Sequence, residues 1–355
     1  MTTAPETIFY PTYNPPYSPH QIGADVSAYG HTGAVVHKEF VDTESERAST
    51  SNASVARGPW WMLGFEKRLS LAFFILFAGA AIGFSLAGLE KMNFRTLIKT
   101  TTPAEGYWYQ KLPWKTFIML HILTTIPATF LSVFCFLPVT FKIWPRFHGL
   151  LGYLVSVLLV ISCVAGGIMA RRAQGGDLGV QVGYYLLASG AASAVVMGCI
   201  EGWRGAFDAH REWMLRAWVY NGALITTHAT VIISARVISL IGGYYTSMRC
   251  SEVGYLLSSE LIGQDYPACS TVEAIANPDS FYVPIKASWD GGKIGQSSAV
   301  RAAFGMSMLL AIFLHCVGVE IYLHATRDEA RKLNEWSRRR RIRAPVHSDQ
   351  QYELS

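Results

Sequence analysis

The sequence predicts an all-α fold, a polytopic membrane bundle of about six transmembrane helices, and three observations carry that prediction. The 355 residues are 51% apolar and only 15% charged, with a mean hydropathy of +0.24, whereas a soluble globular domain carries roughly a quarter charged residues. Crossing about 30 Å of hydrocarbon takes on the order of 20 apolar residues in a helix, and six runs meet that length, at 69–89, 116–137, 149–170, 181–200, 213–241 and 302–323. Charge gathers in the connections and tails between and beyond these runs.

Three segments follow. Residues 1–60 are rich in Pro, Tyr, Ser and Thr and have no apolar core of the kind a secretory signal needs. They bury too little apolar surface to offset chain entropy and read as a disordered tail. Residues 61–325 form the helix bundle, and 326–355 a basic tail. Arg327, Arg331, Lys332, Arg338, Arg339, Arg340, Arg341 and Arg343 crowd that tail, Lys67 and Arg68 precede the first span, and Lys142 and Arg146 lie between the second and third. The positive-inside rule makes these segments, and with them both termini, cytosolic. Lys91, Arg95, Lys99 and Lys111 run against that assignment. Asn52-Ala53-Ser54 is a glycosylation sequon left on the cytosolic side. The basic tail serves as a topology anchor at the lipid surface, and nucleic-acid binding is set aside because no fold motif accompanies the charge.

The connection 246–301 then faces the lumen or exterior. It leans acidic and holds Cys250 and Cys269, the two cysteines outside the spans. On an oxidising side they are expected to pair, and closing a loop of roughly 20 residues is worth about 3 kcal/mol in the chain-entropy picture. Two free thiols are the alternative.

Polar residues inside the apolar runs carry the functional information, because intramembrane charge costs several kcal/mol unless paired or facing a wet cavity. His210-Arg211-Glu212-Trp213-Met214-Leu215-Arg216 leads into the apolar stretch 217–243. His121 and His228 fall in the lumenal third, while His148, His210 and His324 fall at the cytosolic edge, and His315 lies in the sixth span. Glu320 stands four residues before His324 on one helix face. If the helices bundle, Glu320, Asp208, Glu212, His148, His210 and Arg216 meet around one cytosolic-side pocket. A desolvated carboxyl group there would stay protonated and suit a general acid. The competing account is a salt-bridge cluster in which Arg211 and Arg216 pair with Glu201, Glu212 or Glu320. Trp213, Trp218, Tyr220, Trp203, Tyr184 and Tyr185 thicken around the same region, as an interfacial belt or as ring faces that shield a carbocation. Asn221, His228 and Arg236 share a bundle-facing side of the fifth span.

The same His210–Arg216 motif resembles that of a family of uncharacterised multi-pass membrane proteins of bacteria and fungi, in which H-R-x-W-M-x-R opens a span. Phe147-His148-Gly149-x-x-Gly152-Tyr153, Arg236 and Glu320 agree with that family's pattern, and the resemblance covers roughly residues 115–325. The long N-terminal tail and the cysteine-bearing loop depart from the compact bacterial pattern and look fungal. A fainter likeness is to the small membrane terpene cyclases of fungal meroterpenoid pathways that form ascochlorin- and ascofuranone-type products, and it implies an endomembrane such as the endoplasmic reticulum.

Three readings stand. The first is a cofactor-free membrane enzyme that cyclises a lipophilic, prenylated or epoxidised substrate by acid catalysis. Glu320, Glu212 and Asp208 are its acids, His210 and Arg216 tune them, and Trp213, Trp218, Tyr220, Asn221 and His148 bind substrate. The second is an electron-transfer protein holding haem b on His121, His228, His148 and His210. The third is a transporter or non-catalytic scaffold.

Overall fold

The computed structural model describes residues 63–343. The tail at 1–60, with its sequon at Asn52, and the end of the basic tail from 344 lie outside them. In chain order, α1 (Arg68–Gly88) runs into a 3-10 turn, Leu89–Met92. Two short helices, α2 (Phe94–Thr100) and α3 (Glu105–Tyr109), fill the first connection before α4 (Trp114–Cys135). Next come α5 (Pro138–Ile143), α6 (Pro145–Met169), α7 (Leu178–Trp203) and α8 (Phe207–Ile241). A cap follows, made of β1 (Tyr245–Arg249), α9 (Cys250–Leu256), α10 (Ser259–Asp265), α11 (Val272–Ala276) and β2 (Tyr282–Lys286). The chain then returns through α12 (Gly292–Ala325) and ends in α13 (Arg327–Arg343).

Six of these, α1, α4, α6, α7, α8 and α12, are long and apolar enough to cross a membrane. The chain is a multi-pass helical membrane protein. The one sheet among the described residues is the antiparallel pair β1–β2, which sets Met248 opposite Val283.

Two boundaries differ from the sequence reading. The fifth span begins at Phe207 rather than 213, so the motif 210–216 lies inside the helix and not at its entrance. Asp208 in its first turn favours the helix N-terminus, and Glu212 pairs with Arg216 one turn on, so the charges that interrupt the hydropathy support the helix. The sixth span begins at Gly292 rather than 302, which draws Arg301 out of the loop and into the helix.

Local signals account for the other ends. The Asn93 side chain accepts from the Arg95 amide (3.0 Å), and that of Asp177 accepts from Val180 (2.9 Å), each taking up a donor that a helix start leaves free. Gly242, at φ 76°, stops α8 in the left-handed conformation glycine adopts without strain. Gly176, at φ 69°, could not be replaced, since a Cβ there would stand 2.2 Å from the Arg171 carbonyl.

The fifth span packs along α7 and α12, while α4 packs along α6, and α1 touches both α4 and α8. Between the second and fifth spans, Ala128 of α4 and Ala217 and Trp218 of α8 belong to one buried cluster. Contacts between spans use small residues: Gly305 meets the backbone of Gly179 and Val180, and Ala223, Ala235, Ala299, Ala303 and Ala311 are buried together. That is how helices approach closely where lipid is as apolar as leucine. Ile75, Leu76, Leu150, Phe313 and Ile321 point outward. On the cap, Cys250 and Cys269 form a disulfide with Cα atoms 5.3 Å apart, over a core of Met248, Val253, Val283, Ile285 and Ile294.

Candidate functional site

The acidic and basic side chains of the 210–216 motif are all held in ion pairs, one inside the motif and two with residues outside it. Arg216 donates from Nε and Nη2 to the two carboxylate oxygens of Glu320, at 2.6 and 3.0 Å, and Glu212 lies 3.6 Å from Nη1. Trp213 covers the same guanidinium at 5.1 Å. Arg211 turns the other way, to Glu329 (2.9 Å) and Thr326 (3.1 Å) of the segment that joins α12 to α13. Ser70 of α1 donates to the second oxygen of Glu329 (2.6 Å), so this network ties the first, fifth and sixth spans together. Glu201 pairs with Arg204 instead, and Asp208 has no ion pair among the described residues.

The expectation of one pocket that gathers Glu320, Asp208, Glu212, His148, His210 and Arg216 is therefore corrected. His210 and Arg216 are six residues apart on α8 and emerge on different faces of a 3.6-residue helix, so the histidines and the ion pairs form separate clusters. His324 is exposed. Trp218 is buried among Ala128, Leu151, Val155, Leu159, Ala194 and Val195, and Tyr220 packs between helices, so neither lines an open site. Because the Glu320 side chain is 53% exposed, replacing it with Gln is expected to change the melting free energy by less than about 1 kcal/mol, measured by thermal unfolding in detergent. A larger loss would mean the pair is buried in the native membrane.

The imidazoles tell a different story. A carbonyl oxygen only accepts, so a ring nitrogen bonded to one must carry the proton. His121 donates from Nδ1 to the Ser162 carbonyl (2.9 Å), His210 to Gly198 (2.7 Å) and His228 to Leu224 (2.7 Å). In all three the Nε2 lone pair is left with no hydrogen-bond partner among the described residues. His315 differs: Nδ1 donates to the Val219 carbonyl (2.7 Å) and Nε2 accepts from the Thr226 hydroxyl (2.8 Å), so both nitrogens are used. His148, against Phe141, has a buried Nδ1 with no partner.

These rings fall into two levels. His121 stands on α4 and His228 on α8, and His148 and His210 stand in the first turns of α6 and α8. His210 and His228 are 18 residues apart, about five turns, and share a helix face. Glycine makes room for both levels: a Cβ at Gly166 would touch the His121 ring at 3.0 Å, and one at Gly202 the His210 ring at 2.8 Å. A narrow cavity beside His121 is bounded by Gly166, Gly167, Ala188, Ala191 and Asn221. Thr125 and Ser162 share a hydrogen bond at its edge.

At the opposite end of the bundle is a charged cluster the sequence reading missed. Arg301 is 3% exposed and sits between two buried carboxylates. It donates to Glu105 from Nε (3.2 Å) and Nη2 (2.9 Å), and to Glu252 from Nη1 (3.0 Å) and Nη2 (3.1 Å). The Trp108 indole donates to Glu252 (2.7 Å), and the Gln174 amide to Glu105 (2.8 Å). Burial raises the Glu105 carboxyl above the usual range, with Arg301 working against the shift. Burial acts on Glu252 in the same direction, but Arg301, the Trp108 indole and the Arg249 amide outweigh it and hold that carboxyl low. The cluster clamps the first connection, the cap and the sixth span together. The signal that could have found it is the helical run of small residues from Gly292, which puts Arg301 inside a helix.

Residues 118–257 match the model of a family described as predicted membrane protein (DUF2306). The segment contains the 210–216 motif and spans two to five, so the likeness to a multi-pass membrane family rests on the same residues that suggested it. No curated protein and no solved structure matches the chain.

Proposed function

Taking a multi-pass membrane protein with the DUF2306 segment across its central spans as the premise, we propose that the chain binds haem b between paired histidines and works as a transmembrane redox protein. The observation that supports this is the state of the imidazole nitrogens. His121, His210 and His228 each donate from Nδ1 to a backbone carbonyl, which fixes the tautomer and aims an unprotonated Nε2 away from that bond, the state an axial ligand needs. A histidine used only for packing is expected to look like His315, with both nitrogens satisfied.

His121 and His228 would hold one group between α4 and α8, and His148 and His210 a second at the first turns of α6 and α8. The donor set suits iron of a b-type haem, and the orphaned Nδ1 of His148 is a polar atom in want of a partner. The cavity beside His121 is narrower than a porphyrin, so α4 and α8 would have to part to admit the ring. When bound, haem supplies a one-electron couple. The protein's share is to set the ring tautomers and hold the imidazoles on the spans, His228 being exposed. The disulfide supports reading the cap as the oxidising side, in keeping with the cytosolic assignment of the basic segments.

Acid-catalysed cyclisation has less behind it, because the Glu320 carboxylate accepts two bonds from Arg216 and an ion-paired carboxylate is a poor proton donor. An optical test separates the readings. Full-length protein expressed with haem precursor and purified in nanodiscs is expected to show a Soret band that shifts on reduction, at about two haems per chain. His228→Ala and His210→Ala are each expected to remove about half of it. Colourless wild-type protein sinks the proposal.

A further inference from the structure

Around Trp108, near the Glu105–Arg301–Glu252 cluster, three basic side chains gather. The Arg172 guanidinium lies 3.9 Å from the Trp108 ring centroid and 5.5 Å from that of Trp114. Arg249 approaches the same indole at 5.3 Å and Tyr282 at 5.0 Å, and Lys111 stands 5.2 Å from Trp108. The nearby acids are already committed. Glu252 accepts from Arg301, from the Trp108 indole and from the Arg249 amide. Asp279 takes the Tyr107 hydroxyl at 2.9 Å and lies 3.7 Å from Lys111.

Arg249 reaches Glu252 only at 4.0 Å, the outer limit of an ion pair, and the Arg172 guanidinium has neither ion pair nor hydrogen bond among the described residues, its backbone amide alone donating to Met169. Stacking satisfies the face of a guanidinium and leaves its in-plane N–H donors free. Burial, and then the like charge of Arg249, raise the cost of keeping Arg172 charged, and an anion set between the two would relieve both.

We propose that Arg172 and Arg249, held against Trp108, form a binding site for a phosphate or carboxylate group at the cap end of the third span. Arg172 stands three residues beyond the end of α6 at Met169, at the level where a span leaves the hydrocarbon. The group can belong to a soluble anion or to a lipid headgroup, because each presents the same oxygens to a guanidinium fork. The site is independent of the haem proposal and needs no cofactor.

The test uses the full-length chain in two kinds of nanodisc. In neutral phosphatidylcholine discs, inorganic phosphate and citrate are titrated calorimetrically. Wild type is expected to bind one of them saturably, and Arg172→Gln and Arg249→Gln each to weaken it by about tenfold, the size of one lost charge-assisted contact. In discs that contain phosphatidylglycerol, native mass spectrometry reads retained lipid. If the ligand is a headgroup, wild type keeps phosphatidylglycerol, both variants lose it, and the phosphate response disappears in those discs. Arg172→Lys, which keeps the charge without the fork, guards against a folding defect and is expected to bind between wild type and Arg172→Gln. If neither soluble anion nor phosphatidylglycerol distinguishes wild type from the two Gln variants, the site does not exist.

Discussion

Arg301→Gln is expected to destabilise the folded protein by about 3–5 kcal/mol, because removing one partner of a buried ion pair leaves its counter-charge stranded. Here two carboxylates are left. Glu105 and Glu252 are 0% and 1% exposed, and four of their hydrogen bonds come from this one guanidinium. The measurement is thermal or denaturant unfolding in detergent, with the triple variant Arg301→Met, Glu105→Gln, Glu252→Gln beside it. The triple variant is expected to be more stable than the single one, since neutral groups carry no stranded charge. A single variant that melts with wild type would show that the cluster is open to water in solution.

The two acids give opposite pH dependences. Glu105 is raised, so its contribution is complete below the ordinary carboxylate range and is lost as pH climbs through the raised value. Glu252 is lowered, so its contribution is present above the ordinary range and is lost as pH falls through the lowered value. Acidification below the ordinary carboxylate range is therefore expected to loosen the cap through Glu252, and Glu252→Gln to abolish that acid limb. An acid limb unchanged in Glu252→Gln would assign it to other carboxylates.

Loss of the Cys250–Cys269 bridge is the second large effect. It closes a loop of 19 residues, and its removal is expected to cost about 3 kcal/mol. The bridge pins α9 to the turn before α11 across the cap core, which reaches the sixth span only at its first turn, through Ile294, while Glu252 of α9 stays tied to Arg301. Under reduction, or in a Cys250→Ser, Cys269→Ser variant, limited proteolysis is expected to cut first between 250 and 276 while the six spans stay protected. Equal cleavage rates in oxidised and reduced protein would contradict this.

How far the sequence could be read follows from the physics of each feature. Long apolar helices announce themselves, because the cost of exposing backbone to lipid forces a continuous run that hydropathy detects. The ends of the fifth and sixth spans were misplaced for a related reason. Asp208, Glu212, Lys293 and Arg301 read as loop charges when counted singly, yet Glu212 and Arg301 are neutralised by partners. Arg301 and Glu105 are 196 residues apart in the chain, and no local pattern reports such a pairing. The histidines were visible as residues, and the two levels were visible as depths. Which nitrogen each ring offers depends on a carbonyl from its own helix or a neighbouring one.

By itself, then, the sequence determined a six-span bundle, a cysteine-bearing connection and a charged motif beside the fifth apolar run, because hydrophobicity and spacing are properties of the chain alone. Only the tertiary structure decided that Glu320 is bound to Arg216, that His315 is satisfied while His121, His210 and His228 each keep an open nitrogen, and that Arg301 is buried between two acids. Those are statements about which partner each polar group finds, and in a low-dielectric interior the partner determines what the group can do.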